Sequence, residues 1–344
     1  MAKVPRSLAG QTIAITGGGR GIGRATAKAL LAQGARVAIG DIEAPLAEQT
    51  AAELGSGAIG LPLDVTNRAS FTAFIDQVED RLGPLDVLIN NAGIMPINAL
   101  VEEADATAER LVDINVHGVI IGSKIALERF TARGRGHLVN IASIAGKAGV
   151  SHLATYCATK FAVVGLTESI RLEYAGTPID VSVVMPIGVN TELYSGLAPL
   201  RGIKTPEPED VADAIVEALQ TGRYEVYVPK RMNAMSRLGA LLPLKARDAL
   251  NSASGGDVMT HPDHTARAAY EQRMKRTIEG ADEVAAAAAP AEAAAPAAPA
   301  EPAEPAAPAE PEAPAPAAAA PDAPAPIATN GDDAAAAERE KEAV

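Results

Sequence analysis

Apolar residues in this chain fall first into short, nearly unbroken runs. Thr12–Thr16, Arg36–Gly40, Ala58–Leu63, Leu85–Ile89, His137–Ala142, Ile179–Val184 and Tyr224–Val228 each read as a strand. A strand buried on both faces is continuously apolar, whereas a half-exposed one alternates. The stretches between them fit helices; after Ile22, for example, Ala25, Ala29 and Leu30 suit a sheet-facing side. Repeated strand–helix units predict an α/β fold with a parallel sheet covered on both faces.

The first strand runs directly into Gly17-Gly18-Gly19-Arg20-Gly21-Ile22-Gly23, and a helical pattern follows. Strand, glycine turn and helix is the context that phosphate binding demands. Glycines allow backbone to approach a pyrophosphate, and the unpaired N–H groups of a helix start receive its charge. Gly21 and Gly23 would also permit close helix–sheet contact. A plain flexible turn is the alternative. Asp41 ends the second strand, about 20 residues beyond the glycines, where an acid can accept both hydroxyls of an adenosine ribose. That acid would repel a 2′-phosphate, so NAD(H) is expected over NADP(H), although Arg20 nearby would partly offset the repulsion. Asp41 also suits an N-cap. Asp64-Val65 follows the third strand, with the acid placed to hold an adenine amino group. Asn90-Asn91-Ala92-Gly93 follows the fourth; its asparagines can lock strand ends together, and Ala92-Gly93 offers little bulk beside a ligand.

Tyr156 and Lys160 are four apart, with Ser143 thirteen residues before the tyrosine. On a helix, i and i+4 share a face. An ammonium there favours phenolate and would draw the tyrosine pKa down from about 10. Such a tyrosine can exchange a proton with a substrate oxygen that Ser143 also hydrogen-bonds.

Over roughly residues 8–230 the chain resembles the short-chain dehydrogenase/reductase family. The family's TGxxxGxG pattern is here Thr16 through Gly23, its NNAG segment is Asn90–Gly93, and its catalytic tetrad falls on Asn115, Ser143, Tyr156 and Lys160. The resemblance implies a Rossmann-type doubly wound parallel sheet in three α/β/α layers, and an NAD-dependent oxidoreductase interconverting a secondary alcohol and a ketone. Tyr156 would be the general acid in reduction and the base in oxidation. Ser143 would orient and polarise the substrate oxygen, and Lys160 would bind the nicotinamide ribose. Asn115, otherwise a polar break in the Leu111–Ile114 helix, would sit in a helix irregularity and hold a relay water. Pro186, Val189 and Thr191 match the family's cofactor loop, but Ile187 stands where glycine is usual. A β-branched residue is strained at positive φ, so the loop is expected either to be re-routed or to need no special φ there. Thr159 replaces a frequent serine and keeps the hydroxyl.

Cys157 is the only cysteine, which excludes an intrachain disulfide, and its place beside Tyr156 reads as a buried thiol. The histidines lack metal-site spacing; His152, between Ser143 and Tyr156, is a candidate substrate contact. Ile144–Leu153, Met95–Leu100 and the apolar stretch after Thr191 should set specificity, and they suit a lipophilic alcohol or ketone. A lyase or epimerase on the same fold, or a non-catalytic NAD-binding scaffold, are the competing readings.

Three segments follow: an oxidoreductase domain over 1–230, a C-terminal helical extension over 231–280, and a disordered Ala/Pro/Glu-rich tail over 281–344. Lys230–Arg247 carries five basic residues and no acid, and Met232, Met235, Leu238 and Leu241 recur near helical spacing up to a break at Pro243. Packing on the body or a partner subunit, closing the substrate entrance and peripheral membrane contact through 230–250 all fit this segment. Residues 262–281 read as a further, marginal helix. The tail holds too few large apolar groups to offset ordering. It carries −11 of the whole chain's −13, leaving −2 for residues 1–280. This acidity argues against nucleic acid as a partner for the tail. Residues 1–11 are too short and polar for a signal peptide, and no run reaches the roughly 20 apolar residues of a spanning helix. A cytoplasmic protein is expected, and the family resemblance implies pairing into a homodimer or homotetramer through two long helices, Ala104–Arg129 and Thr155–Tyr174.

Overall fold

The computed structural model describes residues 5–200, 202, 204–253, 259 and 261–288. Among these, seven strands form one all-parallel sheet: β1 (Thr12–Thr16), β2 (Arg36–Asp41), β3 (Ala58–Pro62), β4 (Leu85–Asn90), β5 (Gly136–Ile141), β6 (Ile179–Pro186) and β7 (Glu225–Val228). Their order is β3-β2-β1-β4-β5-β6-β7. The apolar runs thus form the strands predicted from them, because a strand covered on both sides has no polar face to keep.

Helices α1 (Gly21–Ala32), α2 (Ala44–Leu54), α3 (Arg68–Leu82), α4 (Asp105–Val112), α5 (Gly118–Arg133), α6 (Ala154–Glu173) and α7 (Pro208–Thr221) complete the layers. Leu30 of α1, Ala47 of α2 and Val211 of α7 bury against one face of the sheet with Ile13, Ile15 and Val37. Phe74 of α3, Ile125 of α5 and Ile170 of α6 cover the other with Ala14, Leu88 and Leu138. This is the doubly wound α/β/α arrangement. The sequence order of strands reverses direction between β1 and β4, and in such sheets a crevice opens there beyond the strands' carboxyl ends.

The predicted helix over 104–129 is not continuous. A π-helical turn, Asp113–His117, separates α4 from α5, and the Gly118 N–H bonds the Asp113 carbonyl instead of the usual i−4 partner. After β7 come α8 (Met232–Leu241), α9 (Leu244–Ala253) and α10 (His264–Ala288), with Pro243 at the predicted break. Helix α10 runs past the end near 281 expected for it: it packs Arg267 and Tyr270 against the body and continues through an alanine-rich stretch with no proline before Pro290. The tail expected from 281 lies outside the described residues from 289 onward.

Candidate active site

A cavity of about 1010 Å³ opens at the carboxyl ends of the strands, around the β1/β4 reversal. It sits at the top of the roughly 300–1,000 Å³ range of small-molecule sites, so it has room for a dinucleotide and a second molecule. From the glycine loop it is lined by Gly17, Arg20, Gly21 and Ile22, from β2 by Asp41, and after β3 by Asp64 and Val65. Asn91, Ala92 and Gly93 follow β4, and Pro186, Val189 and Thr191 follow β6. Ser143, Tyr156 and Lys160 complete the wall.

Backbone closeness explains the glycines. Gly17 has φ 63°, and a Cβ there would stand 2.8 Å from Ala92 Cα. A Cβ on Gly23 would stand 2.5 Å from the Gly17 carbonyl oxygen. Thr16 and Gly23 do not line the cavity; they build it from behind. Thr16 Oγ1 accepts from the Asn91 and Ala92 N–H groups, both at 3.0 Å, while Asn91 Nδ2 donates to the Thr16 and Gly17 carbonyls at 2.9 Å. No side chain caps α1, so its first-turn N–H groups are left for a ligand. Asp41 Oδ2 accepts from the Gly19 N–H (3.1 Å) and Oδ1 from the Glu43 N–H (3.2 Å), so it braces both the loop and the start of α2. Burial nonetheless raises its pKa above the ordinary carboxylate value. Arg20 is committed to Glu43 (2.8 Å) and Glu192 (3.3 Å). Asp64 holds the next turn through the Thr66 N–H (2.9 Å) and hydroxyl (2.7 Å).

On the other side, Ser143 leads into the turn Ile144–Gly146, its oxygen accepting from the Ala145 N–H at 3.1 Å. Tyr156 and Lys160 lie on α6 as predicted, but the expected fall in the tyrosine pKa is not found. Burial pushes Tyr156 well above its usual value, with hydrogen bonding to Ser143 acting the other way. Burial also lowers Lys160 to about 8. The lysine Nζ donates to the Ile141 carbonyl (3.0 Å) and stands 5.6 Å from the tyrosine ring centroid. Loss of water disfavours the charged form of both groups.

Asn115 lies in the π-helical turn, behind the wall. Its Oδ1 accepts from the Ile94 N–H and its Nδ2 donates to the Ile94 carbonyl, both at 3.0 Å. Nδ2 also reaches Thr159 Oγ1 (3.2 Å), which itself donates to the Tyr156 carbonyl at 2.7 Å. The Thr159 hydroxyl therefore joins Asn115 to the tyrosine's own turn of helix. Ile187 needs no positive φ; among the described residues only His152 departs that way without being glycine. Ile187 is buried, its N–H bonds the Val228 carbonyl at 2.9 Å, and its side chain packs in an apolar cluster at the cavity wall. His152 does not line the cavity, since its left-handed backbone turns it to bond Ser151 instead. Cys157 is buried in the apolar cluster beside Tyr156, and burial raises its pKa.

Sequence reasoning left several cavity residues unassigned to the site: Ile42, Arg110, and Tyr270, Arg273 and Met274 of α10. Only the spacing of Tyr270, Arg273, Met274 and Thr277, which keeps them to one helical side, carried a signal.

Comparison with known proteins agrees with this architecture. The short chain dehydrogenase family model matches residues 11–199, and the chain belongs to that family. It is 40% identical over 229 residues to 2-(S)-hydroxypropyl-CoM dehydrogenase 3 of Xanthobacter autotrophicus, covering 61% of this chain and 89% of the relative. It is 39% identical over 186 residues to a 3-alpha-(or 20-beta)-hydroxysteroid dehydrogenase of Mycobacterium tuberculosis, covering 54% and 72% respectively. Among solved structures, a short chain dehydrogenase/reductase from Burkholderia phymatum in complex with NAD superposes with a TM-score of 0.62 at 26% identity, covering 68% of this chain and 94% of the other.

Proposed function

We propose that this short-chain dehydrogenase is an NAD(H)-dependent oxidoreductase that interconverts a lipophilic secondary alcohol and its ketone. The observation that carries the reading is one cavity shared by the glycine loop, Asp41, Ser143, Tyr156 and Lys160. A nicotinamide cofactor bound there supplies the hydride acceptor or donor. The first-turn N–H groups of α1 would hold its pyrophosphate, and Gly17, Ala92 and Gly93 leave the space that side chains would fill. Asp41 would accept the adenosine ribose hydroxyls, Asp64 and Val65 would border the adenine, and Lys160 would bind the second ribose. Pro186, Val189 and Thr191 would edge the nicotinamide.

In ketone reduction Tyr156 gives its proton to the substrate oxygen, and in oxidation it takes that proton back. It is a phenol at neutral pH, the form that reduction requires, and burial moves its pKa further from that range. Ser143 holds the same oxygen, and Asn115 would continue the relay from Lys160 through a water. Beyond Tyr156 the compartment is walled by Met95, Leu153, Leu193, Tyr194 and Met259, which favours an apolar substrate body.

The NAD preference has a direct test. Asp41 opposes a 2′-phosphate, and Arg20, the cation near it, is held by two glutamates. The chain has no tryptophan, so nucleotide fluorescence can be followed cleanly. Titration should show tighter binding of NADH than of NADPH; the reverse order would overturn the cofactor assignment.

Residues 1–230 would form the catalytic domain and 231–288 its helical extension. Phe161 and Leu172 are exposed on α6, which supports pairing of copies through that helix. Exposed Leu238 and Leu241 on α8 support a second contact, with another subunit or with a membrane surface.

A further inference from the structure

Helix α10 lies beyond the residues that the family model matches, yet it carries the largest fully buried side chain among the described residues, Arg267, at 1% exposure. An unpaired guanidinium in such a place would be costly. This one is fully engaged. Its Nη1 donates to the carbonyls of Leu193 (2.8 Å) and Ser195 (3.2 Å), and its Nη2 to that of Met95 (2.7 Å). Nε lies 3.7 Å from Glu271, and the guanidinium carbon stacks 4.7 Å from the Tyr270 ring centroid.

Every carbonyl in that set belongs to a segment bordering the substrate side of the cavity, and none to the sheet. Tyr270 acts on the same place: its hydroxyl oxygen accepts from the Met95 N–H at 2.8 Å, so α10 holds Met95 by both backbone groups. A third anchor is Gly196, whose carbonyl accepts from the Asp263 N–H at 2.8 Å. A Cβ on Gly196 would stand 2.4 Å from the Asp263 carbonyl oxygen, so the loop and the start of α10 are in close contact. Arg273 pairs with Glu192, which also pairs with Arg20 of the glycine loop.

We infer that α10 forms one wall of the substrate compartment, and that Arg267 is a positioning residue clamping the Met95 and Leu193–Ser195 segments into one pocket. This rests on the oxidoreductase reading above. Tyr270 and Met274 line the cavity, Tyr270 near enough to Tyr156 for their charges to interact, so a longer apolar substituent would meet more of the wall that α10 supplies. A flexible lysine could not span carbonyls on two segments as a planar guanidinium does.

Arg267→Met keeps length and apolar bulk and removes the donors. With NADH and a methyl-ketone series from 2-butanone to 2-decanone, this variant should show KM for 2-decanone raised about tenfold, the loss of roughly one or two hydrogen bonds' worth of positioning, while kcat stays near wild type. KM for 2-butanone and the NADH Kd should be unchanged. Amide hydrogen exchange gives a readout independent of turnover: residues 94–98 and 192–197 should exchange faster in Arg267→Met, and residues 16–23 as in wild type. Tyr270→Phe, which removes only the acceptor of the Met95 N–H, should speed exchange in 94–98 alone. Unchanged exchange in both segments would overturn the clamp, as would a uniform loss of protection and NADH affinity, which would mark Arg267 as a general stability residue. If the wild-type protein binds NADH but reduces no ketone in the series, it is the substrate reading that fails, and the exchange result still decides the clamp.

Discussion

Tyr156 and Lys160 share a turn of α6, but the same burial drives them in opposite senses, holding the tyrosine as phenol and bringing the lysine to about 8. The sequence showed the pair and its spacing. It did not show how little water surrounds it, since Met95 after β4 and Tyr194 after β6, far away in the chain, help to bury it. Ile187 teaches the same lesson from the other direction. Its departure from glycine suggested strain, yet its backbone is unstrained and its side chain fills core space beside β7. If Tyr156 carries the proton, Tyr156→Phe keeps the ring packing and removes only the transferable proton. Such a variant is expected to bind NADH with wild-type affinity and to lose turnover by ~10²-fold or more, as for loss of a general acid–base group. Near-normal turnover with a ketone substrate would remove Tyr156 from that role.

At the scale of elements, the strands were legible because a continuous apolar run of five or six residues has few uses other than a covered strand. The glycine loop was legible because strand, turn and helix adjoin in sequence. The π-helical turn was anticipated only through family resemblance, since the Asn115–Ile94 bonds that accompany it are a long-range contact. The packing of α10 could not be read because a buried arginine and an exposed one look the same in sequence; carbonyls from two distant loops decide the difference. Strand β5 carries a comparable case in His137, which is buried against β6 with a ring nitrogen 2.8 Å from Ser182 Oγ. Desolvation lowers its pKa from 6.5 to about 4, although Asp180 opposes the shift; Arg6 adds to it. The unfolded chain therefore takes up a proton between these values while the folded chain does not. Stability should fall as pH drops from about 6.5 to about 4 and gain no further loss from this group below that. His137→Gln should flatten this part of the pH dependence of Tm. An equally steep decline in the variant would assign the acid sensitivity elsewhere.

Across the whole molecule, chemistry and charge are divided along the chain. Among the described residues, those that line the cavity lie at or before Thr277, whereas −11 of the net −13 lies in residues 281–344. Among the described residues no helix is long and apolar enough to cross a membrane. One apolar surface is on α8, where Met232 is buried but Leu238 and Leu241 are 64% and 82% exposed. The sequence predicted the helix and its apolar stripe, but which residues of the stripe find a partner within the chain depends on the position of β7 and could not be read from spacing. Two of the nearby cations, Lys230 and Arg237, already pair with Glu217 and Glu225. Their charge is thereby reduced for an anionic lipid surface, which favours a subunit contact for the leucines. Leu238→Ser/Leu241→Ser is expected to lower the assembled mass measured by light scattering and to leave NADH affinity unchanged. A subunit contact made by leucines should also persist at high salt, because apolar burial is not screened. The opposite pattern, an unchanged mass together with salt-sensitive capture of the wild-type chain on anionic vesicles that the double variant loses, would assign this face to a membrane surface instead.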